Sequence, residues 1–298
     1  MITFTSLGDL GRFGNQLFQY AALKAVAHRT GFEPKIPDPS TLVCQSQKCY
    51  FENFNIDCAY LTAEDYSLID GRFIEPNHSF YFPQVFDIAD NTDLYGYFQN
   101  YRYFKDIEEQ IREEFTIKEE FSAQAAKYLA SVKNTGDPSA EIVSVHMRRG
   151  DWIEEQMVEG EYQYVDFYGN GDELSKDSKF GKYFYPALEV FSDRNVKFLV
   201  FSGGSKSGDT HNQSDIEWCK TNFNGDRIYY SEGNSDLVDF EIMRQCEHNI
   251  TCHMTSFGWW AALLNENPNK IVTAPKRYTI PDDGRVDFGF YPPGWILL

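Results

Sequence analysis

The run Glu141-Ile142-Val143-Ser144-Val145-His146-Met147-Arg148-Arg149-Gly150-Asp151 decides how this chain is read. Alternation over Glu141 to Met147 predicts a strand with Val143, Val145 and Met147 on one face. Ile142, Ser144 and His146 then take the other face, and Arg148 continues it, so His146 and Arg148 leave the strand end together. Arg149 and Asp151 follow around Gly150, which lets the chain turn sharply and approach a ligand closely. Two guanidinium groups grip a diphosphate through several charge-assisted bonds and absorb negative charge as it departs, which suits a nucleotide-diphosphate leaving group. The plainer reading is that Arg149 and Asp151 pair with each other beside a surface turn.

Downstream, a polar irregular insert runs to about 178. It is followed by a helix over 181–191, a strand from Val196 to Phe201, a short helix near 215–222 and a strand from Arg227 to Tyr230. A helix from Asp236 to Cys246, a strand from Asn249 to Cys252, a helix from Phe257 to Asn265 and a strand from Lys270 to Ala274 complete the alternation. Repeating strands and helices predict an α/β fold, with a parallel sheet covered on both faces and ligands at the carboxyl ends of its strands. The run Met254-Thr255-Ser256-Phe257-Gly258-Trp259-Trp260 opens one of these helices. Its free amides and dipole favour an anion, and Thr255 and Ser256 add hydroxyl donors ahead of Phe257. Ordinary helix capping, with both tryptophans in the core, is the plainer account.

Upstream, residues 1–5 read as a short strand and Ser6 to Gly14 as a glycine-punctuated loop. Asn15 to His28 reads as a helix closed by Gly31, with Leu17, Phe18, Ala21, Ala22, Ala25 and Val26 at helical spacing. Asn15 and Gln16, at the helix start, are candidate N-cap residues. Prolines at 34, 37, 39, 76 and 83 make the stretch from about 35 to 100 loop-rich. Helices are predicted from Tyr103 to Glu114 and from about Glu119 to Lys133. The turn Asn134-Thr135-Gly136-Asp137-Pro138 then divides the chain into lobes 1–138 and 139–298, with the tail able to cross back.

At 298 residues and 42% hydrophobic, with 25 Phe, 19 Tyr and 5 Trp, the chain carries enough apolar surface for two cores. Its 27 basic and 45 acidic side chains leave a net charge of -18, which argues against nucleic acid and anionic lipid as partners. No membrane span or signal peptide is legible, so the reading is a soluble, cytoplasmic protein. The six cysteines, at 44, 49, 58, 219, 246 and 252, lack CxxC spacing and read as reduced thiols rather than zinc ligands. The Asn-x-Ser/Thr triplets at Asn77, Asn212 and Asn249 carry no weight in such a protein. Neither GxGxxG nor a P-loop is present, and no two Asp residues are separated by a single residue, so a DxD metal site is missing and no metal is expected.

The run Gly11-Arg12-Phe13-Gly14-Asn15-Gln16-Leu17-Phe18-Gln19-Tyr20-Ala21 resembles the opening motif of the α1,2-fucosyltransferase family. His146-Met147-Arg148-Arg149-Gly150-Asp151 resembles its HxRRxD motif, and Cys246 to Leu264 its C-terminal segment. Tyr97-Phe98-Gln99 and Tyr291-Pro292-Pro293-Gly294-Trp295 also fit, so the match spans nearly the whole chain in family order. The segment Cys252 to Phe257 departs from the family's Asn-Ser-Ser/Thr-Phe by lacking the Asn and running one residue longer.

The resemblance implies a GT-B-like fold of two Rossmann-type lobes with a donor cleft between them. It implies GDP-fucose as donor substrate with no cofactor, no metal and inversion at the anomeric carbon. The N-terminal lobe becomes the acceptor side and the C-terminal lobe the GDP-fucose-binding side. His146, Arg148, Arg149, Asp239, Thr255, Ser256 and Phe257 are the donor-binding candidates, Asp239 receiving the guanine edge as a matching Asp does in related α1,6-fucosyltransferases. Arg148 also serves catalysis by stabilising the diphosphate. Asp151 is the first choice for the base, with Glu154 and Glu155 as alternatives, although an equal reading has Asp151 only orienting an arginine. The acceptor is a galactose-containing glycan, which if lipid-linked would bring the protein to a membrane, and Asn15 and Gln16 become candidate contacts to sugar hydroxyls. Rival readings are a fucosyltransferase of another linkage or acceptor class, and a non-catalytic glycan-binding protein.

Overall fold

A computed structural model of the chain describes residues 1–40, 50–78, 80–150, 157–158, 161–162, 176–203, 209–253, 255–276 and 288–298. The chain forms two compact units: Met1–Glu119 with Thr279–Pro293, and Glu120–Tyr278 with Gly294–Leu298. Each is an α/β unit built on a parallel sheet, the α/β class that the sequence predicts.

The first unit holds β1 (Ile2–Thr3), β2 (Pro34–Ile36), β3 (Ala59–Tyr60), β4 (Gly71–Ile74) and β5 (Thr92–Tyr95), in the order β3-β2-β1-β5-β4. Its strands are two to four residues long, too short for a period-2 pattern, which is why the region reads as loop. Helix α1 (Phe13–Thr30) is buried along most of its length, and Gly31 closes it in the left-handed conformation (φ 77°), its amide donating to the Ala27 carbonyl. Two short helices, α2 (Ala63–Leu68) and α3 (Glu108–Glu114), complete the unit. The buried Glu114 ties α3 to α1, accepting from Lys24 Nζ at 3.0 Å and from the Tyr20 hydroxyl.

The helix expected from Tyr103 begins only at Glu108. It is preceded by 3-10 turns at Tyr101–Tyr103 and Lys105–Ile107. Tyr103, Phe104 and Ile107 are each buried, and the non-helical backbone at Phe104 and Ile107 lets neighbouring large side chains all reach the core, which one helix face could not do.

The second unit opens with α4 (Glu119–Lys133), which keeps the expected limits. Its sheet contains β6 (Glu141–Arg148), β9 (Val196–Gly203), β10 (Ile228–Tyr230), β11 (His248–Ile250), β12 (Val272–Ala274) and β13 (Ile296–Leu297), in the order β10-β9-β6-β11-β12-β13. A separate antiparallel pair, β7 (Met157–Val158) and β8 (Glu161–Tyr162), lies between β6 and β9 in sequence. Strands β6 and β9 pair in parallel from Glu141↔Val196 to Arg148↔Gly203. Helices α5 (Lys179–Glu189), α6 (Asp209–Asn222), α7 (Asp236–Gln245) and α8 (Ser256–Leu264) connect the strands. Helix α6 starts well before the expected 215, because its first turns are polar and carry no apolar period.

Alternation along β6 sorts its side chains as predicted. Val143, Val145 and Met147 join a buried cluster with Phe180, Phe184 and Cys219 of α5 and α6. On the opposite face, Asn249 Nδ2 donates to Ser144 Oγ at 2.7 Å and to the Met243 carbonyl at 2.8 Å. Trp259 and Trp260 are core residues, and the tail returns Trp295 against Trp259, with ring centroids 5.6 Å apart.

Candidate active site

In the second sheet the chain runs from β6 outward through β9 to β10, then reverses on the other side of β6 through β11, β12 and β13. Strands β6 and β11 therefore flank the topological switch point, where open α/β sheets leave a crevice beyond their carboxyl ends. The carboxyl end of β6 carries His146 and Arg148, and the chain leaving β11 enters α8 at Thr255 and Ser256.

His146 is buried, its Nδ1 lies 3.5 Å from Thr255 Oγ1, and its ring centroid is 5.7 Å from that of Phe257. Burial, with a smaller contribution from the Arg148 charge, holds its pKa down at about 3, so the imidazole is neutral near neutral pH. Gly258 makes this approach possible, since a Cβ there would lie 2.6 Å from His146 Nδ1. Thr255 is the N-cap of α8 but makes no side-chain capping bond, so plain capping does not describe it. Ser256 and Phe257 are half-buried at the helix start, and the Phe257 ring meets Phe240 of α7 edge-on at 5.4 Å.

Arg148, half-buried, ends the strand, its backbone N–H donating to Cys252 Sγ at 3.4 Å. Arg149 is buried and pairs through Nε with Asp215 Oδ1 at 3.1 Å, while its guanidinium lies 3.8 Å from the Trp218 ring centroid. Gly150 takes the left-handed conformation (φ 49°) required by the turn, and its amide donates to Asp215 Oδ2 at 2.8 Å. Asp215 and Trp218 gave no signal in the sequence, because neither belongs to a motif and both sit far along the chain on α6.

Asp239 lies on α7. Its Oδ1 accepts from Ser231 Oγ at 2.6 Å and Asn234 Nδ2 at 3.2 Å. Burial pushes its pKa up to about 6 against the pull of those two donors. Its neighbour Phe240 links it to Phe257 and so to His146. Asp151, Glu154 and Glu155 lie outside the described residues.

In the first unit the N-cap of α1 is Arg12, with no side-chain capping bond, so neither Asn15 nor Gln16 is the cap. Asn15 Oδ1 accepts from Gln99 Nε2 at 2.6 Å. Gln16 is 0% exposed, and its amide atoms meet no hydrogen-bond partner among the described residues. The turn carrying Gln99 includes Phe98 at φ 51°, strained for a side chain of that size. Glu75 Oε2 secures the turn by accepting from the Tyr97 and Phe98 amides at 2.8 and 3.0 Å. Glu75 was not foreseen, lying in the loop-rich stretch.

Among the described residues no group of three or more His, Cys, Asp or Glu side chains is placed to hold a metal ion, and no helix is long and apolar enough to cross a membrane. Cys58, Cys219, Cys246 and Cys252 are thiols outside any disulfide, while Cys44 and Cys49 fall outside the described residues.

Galactoside alpha-(1,2)-fucosyltransferase 1 of Ateles belzebuth is 29% identical over 291 residues, which cover 94% of this chain and 69% of that protein. The Homo sapiens protein of the same name is 28% identical over 282 residues, covering 91% and 67%. Among solved structures, fucosyltransferase NodZ from Bradyrhizobium is 14% identical with a TM-score of 0.49, over 92% of this chain and 94% of that one. POFUT1 in complex with GDP is 15% identical with a TM-score of 0.47, over 91% and 97%. The profile of glycosyl transferase family 11 matches residues 3–298, and the chain therefore belongs to that family and is a glycosyltransferase.

Proposed function

We propose that this glycosyltransferase moves L-fucose from GDP-fucose to a galactoside hydroxyl, with inversion, forming an α1,2 linkage and needing neither metal nor cofactor. The observation that carries the proposal is the placement of His146 and Arg148 at the carboxyl end of β6, with His146 Nδ1 3.5 Å from Oγ1 of Thr255, the N-cap of α8. A diphosphate is the kind of ligand such a place suits. The names of the relatives, galactoside alpha-(1,2)-fucosyltransferases, supply the sugar and the linkage.

In this reading the acceptor oxygen forms its bond to fucose C1 from the face opposite GDP as the C1–O bond to phosphate breaks. GDP leaves with the electron pair, its charge taken by Arg148 and the α8 amides. The acceptor proton passes to a carboxylate, with Asp151 first in line and Glu154 and Glu155 behind it. Neutral His146 and the carboxylate of Asp239 face the guanine, and Asp239 Oδ2, which accepts no bond from the described residues, takes a ring N–H. Residues 139–298 bind the donor and residues 1–138 serve the acceptor, with Asn15 as a sugar contact. Gln16 is 0% exposed whereas Asn15 is half-buried, so Asn15 is the one of the two open to a sugar.

The test is incubation of purified protein with GDP-fucose and lactose, N-acetyllactosamine or a type 1 disaccharide, with the linkage read by NMR. An α1,2-fucosylated galactose is expected, with the rate unchanged by EDTA. Intact GDP-fucose with every acceptor would refute the activity, and a different linkage would refute α1,2 alone. A rate restored only by Mn²⁺ or Mg²⁺ would refute metal independence.

A further inference from the structure

We infer that Asp215 is a positioning residue of the donor site, acting through Arg149 and the Gly150 amide to hold the strand-end turn in the shape that presents Arg148. The inference rests on the donor reading above.

One carboxylate binds two consecutive residues 65 and 66 positions away: Oδ2 takes the Gly150 amide at 2.8 Å and Oδ1 takes Arg149 Nε at 3.1 Å. Both side chains of the ion pair are 7% exposed, so water does little to weaken it. Trp218, three residues further along α6, lies against the face of the same guanidinium. A planar fork held on one edge by a carboxylate and on its face by an indole has little freedom left. The Arg148 amide is bonded to Cys252 Sγ on the other side, so residues 148, 149 and 150 are each anchored to a neighbouring segment. Gly150 adds a left-handed turn that its own backbone preference does not dictate.

The two arginines thereby divide their work. Arg149 fixes the turn, its charge balanced by Asp215, while the charge of Arg148 is felt at His146. Orientation of this kind is functional rather than merely stabilising, because a misplacement of about 1 Å at a reacting centre can cost roughly a hundredfold in rate.

The test uses Asp215→Asn and Trp218→Phe in the full chain. Each is measured for GDP affinity by calorimetry, for kcat and acceptor KM by initial rates, and for Gly150 amide exchange. Asn keeps one acceptor oxygen but loses the charge and the second acceptor. Expected for Asp215→Asn are a weaker GDP Kd and a lower kcat, each by about tenfold or more, with acceptor KM unchanged and Gly150 exchanging faster. Trp218→Phe changes all of these in the same direction by less, and it carries the test if the buried arginine prevents Asp215→Asn from folding. A merely structural defect would lower the active fraction, reducing kcat while the surviving molecules bind GDP normally. That result, or wild-type behaviour in both variants, overturns the inference. If the unaltered protein fails to bind GDP, the donor reading falls and this inference with it. If it binds GDP and the variants bind equally well, only the inference falls.

Discussion

In the second unit the motif that carries His146 and Arg148 rides on an eight-residue strand paired along its whole length with β9, whereas in the first unit Asn15 sits behind a two-residue strand and a glycine-rich loop. The second site is held by the sheet itself: the β6 register places His146 and Arg148, and α8 packs against His146 through Gly258. The first is held by individual side chains, with Glu75 securing the Phe98 turn and Gln99 meeting Asn15. Where the sheet is short, polar side chains take over the work of fixing a loop, and the positive φ at Phe98 marks where that work is done.

The sharpest way to break this contrast is Arg148→Lys. A point charge cannot reproduce a planar bidentate grip, so turnover should fall at least about a hundredfold with little change in thermal stability. Near-normal turnover would remove Arg148 from the donor site and leave the second unit with no advantage over the first.

Gly258→Ala probes the close approach between helix and strand. The new methyl must displace His146, from which its ideal position is only 2.6 Å, and overpacking of this kind costs about 1–3 kcal/mol. If that penalty falls on the donor-bound arrangement, GDP affinity should drop about tenfold, as isothermal titration would register. Unchanged affinity would show that the His146 side of the helix start does not face the donor.

Glu75→Gln is the counterpart in the first unit. Weakening a buried acceptor of two amides should cost about 1–3 kcal/mol of stability in denaturant melts and raise the acceptor KM, with GDP affinity unaltered. A fall in GDP affinity equal to that of Gly258→Ala would erase the distinction between the two regions.

The smallest expected effect is a pH dependence. With the Asp239 pKa raised to about 6, its carboxylate becomes protonated in the free protein as pH falls through that value, and the acceptor that the proposed donor site assigns to guanine is lost. GDP binding should therefore weaken about fourfold between pH 7.5 and 5.5, and Asp239→Asn should flatten the profile. The sign for folding is opposite. A group whose folded pKa lies above its unfolded value near 3.8 stabilises the fold progressively as pH falls from about 6 towards 3.8. A profile in which binding strengthens on acidification would exclude Asp239 as the acceptor.

Sequence reading was most reliable where a period was long enough to count. The fifteen-residue α4 and the two faces of β6 came out as alternation and helical spacing predict. It did poorly where burial is set by the surroundings. Tyr103, Phe104 and Ile107 are packed by two 3-10 turns rather than one helix, and the polar first turns of α6 carry no apolar stripe. His146, Arg148 and Arg149 were legible as a motif, but the hold on Arg149 was not.

The sequence by itself determined the α/β class, the motifs that mark the family, and the exit of His146 and Arg148 together from one strand. These depend on neighbours a few residues apart, whose geometry the backbone repeats without regard to the rest of the fold. Only the tertiary structure decided that Arg149 pairs with Asp215 and stacks on Trp218, that Gly258 admits the ring of His146, and that Glu75 holds the turn beside Asn15. Those pairings join segments far apart in the chain. Which segments meet is set by strand order and by the helices laid over the sheet, not by any local pattern.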